Sequence, residues 1–203
     1  VGHDTSFRAS GRGISYKGLA WNIDHFSIPL AGSFQHVNAV VALTALEALA
    51  MAGLPVDEAA AVRGIGTVDW PGRFQQVDDN PAVVVDGACN TAAMRVAADE
   101  TAKRAPRDRV VALVGMCGDK DVEDVLEVLG EAAGRFVLTR ADNPRAMNPE
   151  ALAAKSPRTV DVVICPGPDE ALDTARRLAG REGLVLVTGS LYLVGQVMRR
   201  YGF

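Results

Sequence analysis

From residue 82 onward the chain alternates short Val-rich apolar runs with amphipathic stretches of helical spacing. The runs fall at residues 82–85, 110–114, 135–139, 160–164 and 184–187, and the helical stretches at about 92–103, 122–133, 149–154, 169–178 and 191–201. Near-continuous apolar strands separated by helices predict a parallel sheet covered on both faces. The expected fold of residues 81–203 is therefore α/β, with a doubly wound, mostly parallel sheet. In such sheets ligands sit outside the carboxyl ends of the strands. The loops at 86–91, 115–121, 140–148, 165–168 and 188–190 are rich in Gly, Asp, Asn or Pro, whereas those at the opposite end, 107–108 and 181–183, carry less distinctive chemistry.

The first third of the chain follows another pattern. Short β-prone segments at 5–9, 14–16 and 20–23, with Gly11, Gly13 and Gly18 between them, predict a small antiparallel meander. Its core is too small to stand alone, so it is expected to borrow a surface. Ala/Leu-rich helical spacing runs from 35 to 51 and stops at Gly53, and a second short helix spans 57–63 with Asp57 as N-cap. The stretch 64–73, with three glycines and Pro71, reads as a linker. The expected division is residues 1–66, a linker over 67–80, and the α/β domain over 81–203.

Composition narrows the partners. The chain has 203 residues, 48% hydrophobic and 23% charged, with a net charge of -4, which is ordinary globular composition. It has no Lys/Arg run, so neither nucleic acid nor an anionic membrane is expected as a partner. Apolar stretches such as 39–52 fall short of the ~20 residues of a membrane span, and a cytoplasmic location is the simplest expectation. Three cysteines and three histidines, far apart in sequence, suggest neither a zinc site nor a disulfide framework. Cys117 and Cys165 read as small buried side chains near strand ends.

The chemistry concentrates at four places. Neither of the first two strands of the α/β pattern leads into a dinucleotide glycine fingerprint, and there is no P-loop. In Asp86-Gly87-Ala88-Cys89-Asn90 the carboxylate could hold a ribose hydroxyl, a metal-bound water or a cation, or could simply tie the loop's amides together, while Asn90 caps the next helix. The corner Pro71-Gly72-Arg73 presents an arginine suited to phosphate, or a plain surface arginine. Lys120, between Asp119 and Asp121, could grip a substrate carboxylate or belong to a solvated charge cluster. Ser190 stands at a helix N-terminus, a position that serves both as N-cap and as an anion site.

Five segments in order resemble the C-terminal part of folylpolyglutamate synthase, which in bacteria is also a dihydrofolate synthase. They are Leu30-Ala31-Gly32-Ser33-Phe34-Gln35-His36-Val37-Asn38-Ala39, Trp70-Pro71-Gly72-Arg73-Phe74-Gln75, the Asp86 loop, Gly118-Asp119-Lys120-Asp121, and Gly189-Ser190-Leu191-Tyr192-Leu193-Val194. The resemblance implies a Rossmann-like Mur ligase C-terminal domain, preceded by a β meander and helices from the end of an ATPase domain. It implies a ligase that uses ATP and magnesium to join glutamate to a folate or dihydropteroate through an acyl phosphate, as amide ligases of peptidoglycan synthesis do. It makes Asn38, Arg73 and Asp86 the ATP-contacting candidates, with Arg73 and Asp86 nearest the chemistry and Cys89 on the nucleotide loop. Lys120 and Ser190 become candidates for the incoming glutamate.

The sequence departs from the family twice. The N-terminal domain, with its P-loop, magnesium ligands and folate pocket, is absent apart from residues 1–66, so the chain alone is expected to be inactive and that domain is its expected partner. Cys89 stands where the family usually has His, and a thiol is a weaker hydrogen-bond donor than an imidazole. No nearby base is readable that would make Cys89 a nucleophile. The rival reading is a non-catalytic homologue serving as a binding or regulatory module. A nicotinamide-dependent oxidoreductase is disfavoured by the missing glycine fingerprint.

Overall fold

The structure, a computed structural model, describes residues 5–10, 13–118 and 121–203. The chain divides into two compact units, Val1–Trp70 and Pro71–Phe203.

In the first unit, β1 (Ser6–Ser10), β2 (Gly13–Lys17) and β3 (Asn22–Phe26) form the expected antiparallel meander. Two helices follow, α1 (Phe34–Met51) and α2 (Glu58–Gly66), and the Asp57 side chain caps α2 by accepting the Ala60 amide at 2.7 Å. Ile14, Tyr16, Ile23 and Phe26 from the strands pack with Val40, Leu43, Ala61 and Ile65 from the helices. At 18 residues and mean hydropathy 1.3, α1 could pass for a membrane span by length and composition alone. In this unit its inner face, with Val40, Leu43 and Glu47, is buried, while Val37, Val41 and Leu49 on its other side are exposed.

The second unit is a six-stranded sheet. Its strands are β4 (Gln75–Asp79), β5 (Ala82–Val85), β6 (Val110–Val114), β7 (Arg135–Leu138), β8 (Asp161–Ile164) and β9 (Leu184–Thr188), in the spatial order β4-β5-β9-β6-β7-β8. All neighbours are parallel except β4, which is antiparallel to β5. The helices are α3 (Thr91–Ala102), α4 (Val122–Ala132), α5 (Pro149–Ala154), α6 (Pro168–Ala179) and α7 (Leu191–Met198), the last running into a 3-10 turn at Arg199–Tyr201. Residues 75–79, expected inside a linker, are thus an edge strand; the correction follows from pairing with β5, which satisfies backbone groups that a linker would leave to water.

Period-2 alternation sorts the strand side chains. Val83, Val85, Val111, Leu113, Val137, Val185 and Val187 face α6 and α7, whose Leu172, Ala175, Leu193, Val194 and Val197 share their cluster. The alternate residues Val84, Ala112, Phe136 and Leu186 point to the opposite face and are equally buried, and there α3 packs against α4. Both faces being covered explains why β5, β6, β7 and β9 read as unbroken apolar runs. β8, at the edge, leaves Val162 and Ile164 partly exposed.

Candidate functional site

Strand β9 lies between β5 and β6, reached by a connection that runs back across the sheet from the edge strand β8. The helix leaving β5 covers one face of the sheet and the helix leaving β9 covers the other. Their loops therefore splay apart at the carboxyl edge, which is where open α/β sheets bind ligands.

Short hydrogen bonds knit this edge. The Gly189 amide donates to Ala88 O at 3.0 Å, the Thr188 hydroxyl donates to the same oxygen at 3.3 Å, and the Gly115 amide donates to Thr188 O at 3.3 Å. Asn90 caps α3, its Oδ1 accepting the Ala93 amide at 2.9 Å; Ser190 caps α7, its Oγ accepting the Leu193 amide at 3.2 Å. Capping uses Ser190, buried at 6% exposure, as an acceptor, which leaves its hydroxyl proton outside that bond at the positive end of the helix.

Asp86, at the tip of β5, is 7% exposed. Its Oδ1 accepts the Ala88 amide at 2.8 Å and its Oδ2 accepts the Phe74 amide at 2.9 Å. Burial pushes its carboxyl above the usual aspartate range, and the amides of Ala88 and Phe74 and the charge of Arg73 only partly counter this. The Gly87 amide donates to Gly72 O at 3.1 Å, a second tie between the loop and the 71–74 turn.

Arg73 leaves that turn beside Gly87: a Cβ built on Gly87 would come within 2.9 Å of Arg73 Nη1 and would also collide with the Leu191 side chain. Phe74 is left-handed, with φ +47°, and its ring is buried under the Arg104 guanidinium, whose carbon lies 4.6 Å from the ring centre.

Four of the residues singled out from sequence, Arg73, Asp86, Cys89 and Ser190, therefore share one edge of the second unit. Cys89 is half-buried with a free thiol. Asn38 belongs to the first unit, exposed on α1, where its Nδ2 donates to Gln35 Oε1 at 2.9 Å. Lys120 lies outside the described residues. Next to it, Asp121 is exposed, and the charge of Asp124 foremost pushes its carboxyl up. The loop after β6 is tied to the one after β7: the Met147 amide donates to Met116 O at 2.9 Å and the Gly118 amide to Arg145 O at 3.2 Å. Cys117 and Cys165 are buried. Among the described residues, no three His, Cys, Asp or Glu side chains gather as a metal cluster would require.

Sequence reasoning missed three features of this edge. The left-handed Phe74 has no signal in an aromatic residue. The packing of Arg73 and Leu191 over Gly87 is hinted at only by the glycine itself. Thr139, at the end of β7, is fully buried, and among the described residues its hydroxyl has no hydrogen-bond partner.

Residues 72–191 match the family described as Mur ligase, glutamate ligase domain. The dihydrofolate synthase/folylpolyglutamate synthase of Mycobacterium tuberculosis is 30% identical over 217 residues, covering 95% of this chain and 43% of the relative. Among solved structures, the folylpolyglutamate synthase of that organism, complexed with ADP and AMPPCP, superposes with a TM-score of 0.85 at 27% identity, covering 99% of this chain and 48% of that one. E. coli FolC in complex with DHPP and ADP gives a TM-score of 0.84 at 28% identity, covering 99% and 46%. The chain spans a little under half the length of these relatives.

Proposed function

The chain belongs to the Mur ligase, glutamate ligase domain family, and from that premise we propose that it is the C-terminal portion of an ATP-dependent ligase joining L-glutamate to a folate or dihydropteroate. The observation that carries this reading is the convergence of Arg73, the Asp86 loop and the capped N-terminus of α7 at the switch point of the sheet.

In the proposed reaction ATP phosphorylates the substrate carboxylate. ADP leaves, the glutamate amine attacks the acyl carbon, the C–N bond forms as the bond to the phosphate oxygen breaks, inorganic phosphate leaves, and the amine proton passes to solvent. Arg73 offsets the charge that develops on the transferred phosphoryl group, in the manner of an arginine clamp. Ser190 donates a hydrogen bond from its hydroxyl to a carboxylate of the incoming glutamate, at the end of α7 where the helix dipole favours an anion. Lys120 is assigned to the same carboxylates, and Asn38 and Cys89 to the nucleotide. The described residues hold no group of three His, Cys, Asp or Glu side chains that could take magnesium, and its ligands are assigned to the N-terminal domain of the same polypeptide. The exposed Val37, Val41 and Leu49 on α1 are a surface for that domain to cover. The setting is the cytoplasm, and the present chain alone carries out no ligation.

The test is ADP release by the full-length polypeptide with ATP, a folate or dihydropteroate, and glutamate. Release that requires all three supports the reading, and Arg73→Ala should lower it ~10²-fold or more. Release that ignores glutamate would overturn it.

A further inference from the structure

We propose that the amino edge of the six-stranded sheet, opposite the edge that carries Arg73 and Ser190, is a docking surface for an acidic segment of a partner protein. Arg107, Arg109, Arg135, Arg158 and Arg181 would grip its carboxylates. The inference goes beyond the ligase reading and does not depend on it.

The chain has no run of basic residues, and its net charge is -4. The fold nevertheless collects arginines in one row. Strands β9, β6, β7 and β8 are parallel neighbours in that order, so the turns leading into them lie side by side. Arg181 precedes β9, a 3-10 turn at Arg107–Arg109 precedes β6, Arg135 opens β7, and Arg158 precedes β8. Backbone contacts sew these turns together. The Gly134 amide donates to Arg107 O at 2.8 Å and the Asp161 amide to Gly134 O at 3.2 Å, while a Cβ on Gly183 would lie 2.9 Å from Arg109 O. With strands about 4.8 Å apart, the row is about 14 Å long.

Most of its charge is uncompensated. Arg107 donates to the carbonyls of Gly130 and Thr159, at 2.7 and 2.8 Å, which are neutral acceptors. Arg109 meets Glu182 at 3.3 Å and Arg135 meets Asp161 at 3.9 Å, both in solvent-exposed pairs that are weak. Arg158 and Arg181 are exposed, and their side chains have no partner among the described residues.

The planar fork of arginine matches a carboxylate or a phosphate. Two observations favour carboxylates on a protein. Asp108, Asp161 and Glu182 interrupt the row, and a peptide can answer them with basic or hydroxyl residues of its own, whereas a continuous phosphate backbone cannot. None of the turns 103–109, 133–135, 155–161 and 180–183 contains an aromatic residue on which a base could stack. The negative charge of the rest of the chain also repels a polyanion that extends past the row.

The experiment is fluorescence anisotropy of the full-length polypeptide at low ionic strength, with a labelled L-glutamate octapeptide and a labelled thymidylate oligonucleotide of equal length. The peptide is expected to bind more tightly than the oligonucleotide. Arg109→Gln/Arg158→Gln/Arg181→Gln should weaken peptide binding ~10-fold, the size of three exposed charge pairs together. Arg63→Gln/Arg95→Gln/Arg199→Gln, which removes three exposed arginines elsewhere, should leave it unchanged. Asp108→Asn/Asp161→Asn/Glu182→Gln should tighten it by a similar factor, a gain that misfolding cannot imitate. Absence of peptide binding, equal weakening by the two arginine triples, or no tightening in the third variant would overturn the proposal. So would tighter binding of the oligonucleotide, which would assign the edge to nucleic acid. All of these readings are taken without ATP or a folate, so they succeed or fail independently of the ligase assay.

Discussion

Glu47, on the inner face of α1, accepts the Tyr16 hydroxyl at 2.7 Å through Oε2 while its Oε1 takes the amides of Ala20 and Trp21. It is 0% exposed. One buried carboxylate therefore satisfies the turn between β2 and β3 and fastens it to the helix, which is how a meander with a small core acquires a fixed shape. Burial alone would push this carboxyl up, but the amides of Trp21 and Ala20 and the Tyr16 hydroxyl outweigh it and hold the group below the usual glutamate range.

Replacing Glu47 by Ala strands two amides, while the Tyr16 hydroxyl keeps Thr44 Oγ1 at 3.1 Å. With charge-assisted bonds worth about 1.5–3 kcal/mol each, the first unit should lose about 3 kcal/mol or more. The pH dependence has a definite sign. Because the folded-state value is depressed, the contribution is complete above the ordinary glutamate value of about 4.3 and is lost as pH falls through the lower folded value. Urea midpoints measured between neutral and acid pH should fall in the wild type, and less steeply in Glu47→Gln.

Arg176 of α6 bonds Asp78 on β4, the carbonyl of Asn80 and the Tyr201 hydroxyl, the last at 2.7 Å. It thus ties the edge strand, a helix and the C-terminal turn together. The Arg176 and Asp78 side chains are partly exposed, 30% and 27%, so solvent screening discounts the pair. Arg176→Ala should cost on the order of 1–2 kcal/mol and lose part of that effect at high salt. Arg176 foremost holds the Asp78 carboxyl below its usual range, so this contribution too is present above the unfolded aspartate value and fades in acid. An unchanged denaturation midpoint in Arg176→Ala would count against the tie.

The two kinds of strand explain what the sequence could and could not reveal. β5, β6, β7 and β9 are covered on both faces, and their Val-rich runs announce them. β4 reads Gln75-Gln76-Val77-Asp78-Asp79, with a single apolar residue, because an edge strand fastened by Arg176 needs polar partners more than apolar ones. Strand order was equally hidden: nothing in the spacing of residues 184–188 says that β9 inserts between β5 and β6. The loop at Asp86 was legible as a place, since it follows an apolar run and opens a helix. The destination of its carboxylate oxygens was not, because the Phe74 amide comes from a turn twelve residues earlier and left-handed φ has no signature in an aromatic side chain.

Thr139 gives a test with the opposite sign. A buried hydroxyl with no hydrogen-bond partner costs about 1–3 kcal/mol relative to one that is paired, and among the described residues Thr139 is in that position. Val has nearly the same shape and suits a strand end equally well. Thr139→Val should therefore stabilise the ligand-free second unit, by about 1 kcal/mol, as a rise in its thermal midpoint. Destabilisation would reveal a partner for the hydroxyl.

Gly189 and Gly195 lie six positions apart, and Ala should have contrary effects at the two. Gly189 has φ +99°, its amide donates to Ala88 O, and a Cβ there would come 2.9 Å from the carbonyl oxygen of Gly115. An alanine must therefore leave the left-handed region or push the loop after β6 away, and either movement breaks the junction that holds the Asp86 loop. The loss should exceed the ~1 kcal/mol typical of a residue forced into that conformation, and nucleotide affinity of the full-length polypeptide should fall with it. Gly195 sits within α7 with nothing inside 4 Å of an added Cβ. There alanine lowers the entropy of the unfolded chain without meeting a neighbour, so Gly195→Ala should raise stability by about 0.5–1 kcal/mol and leave nucleotide affinity unchanged. Thermal denaturation of the two variants, alongside titration with a non-hydrolysable ATP analogue, reads both effects. Equal behaviour at the two positions would mean that the contact between Gly189 and Gly115 does not hold this edge of the sheet together.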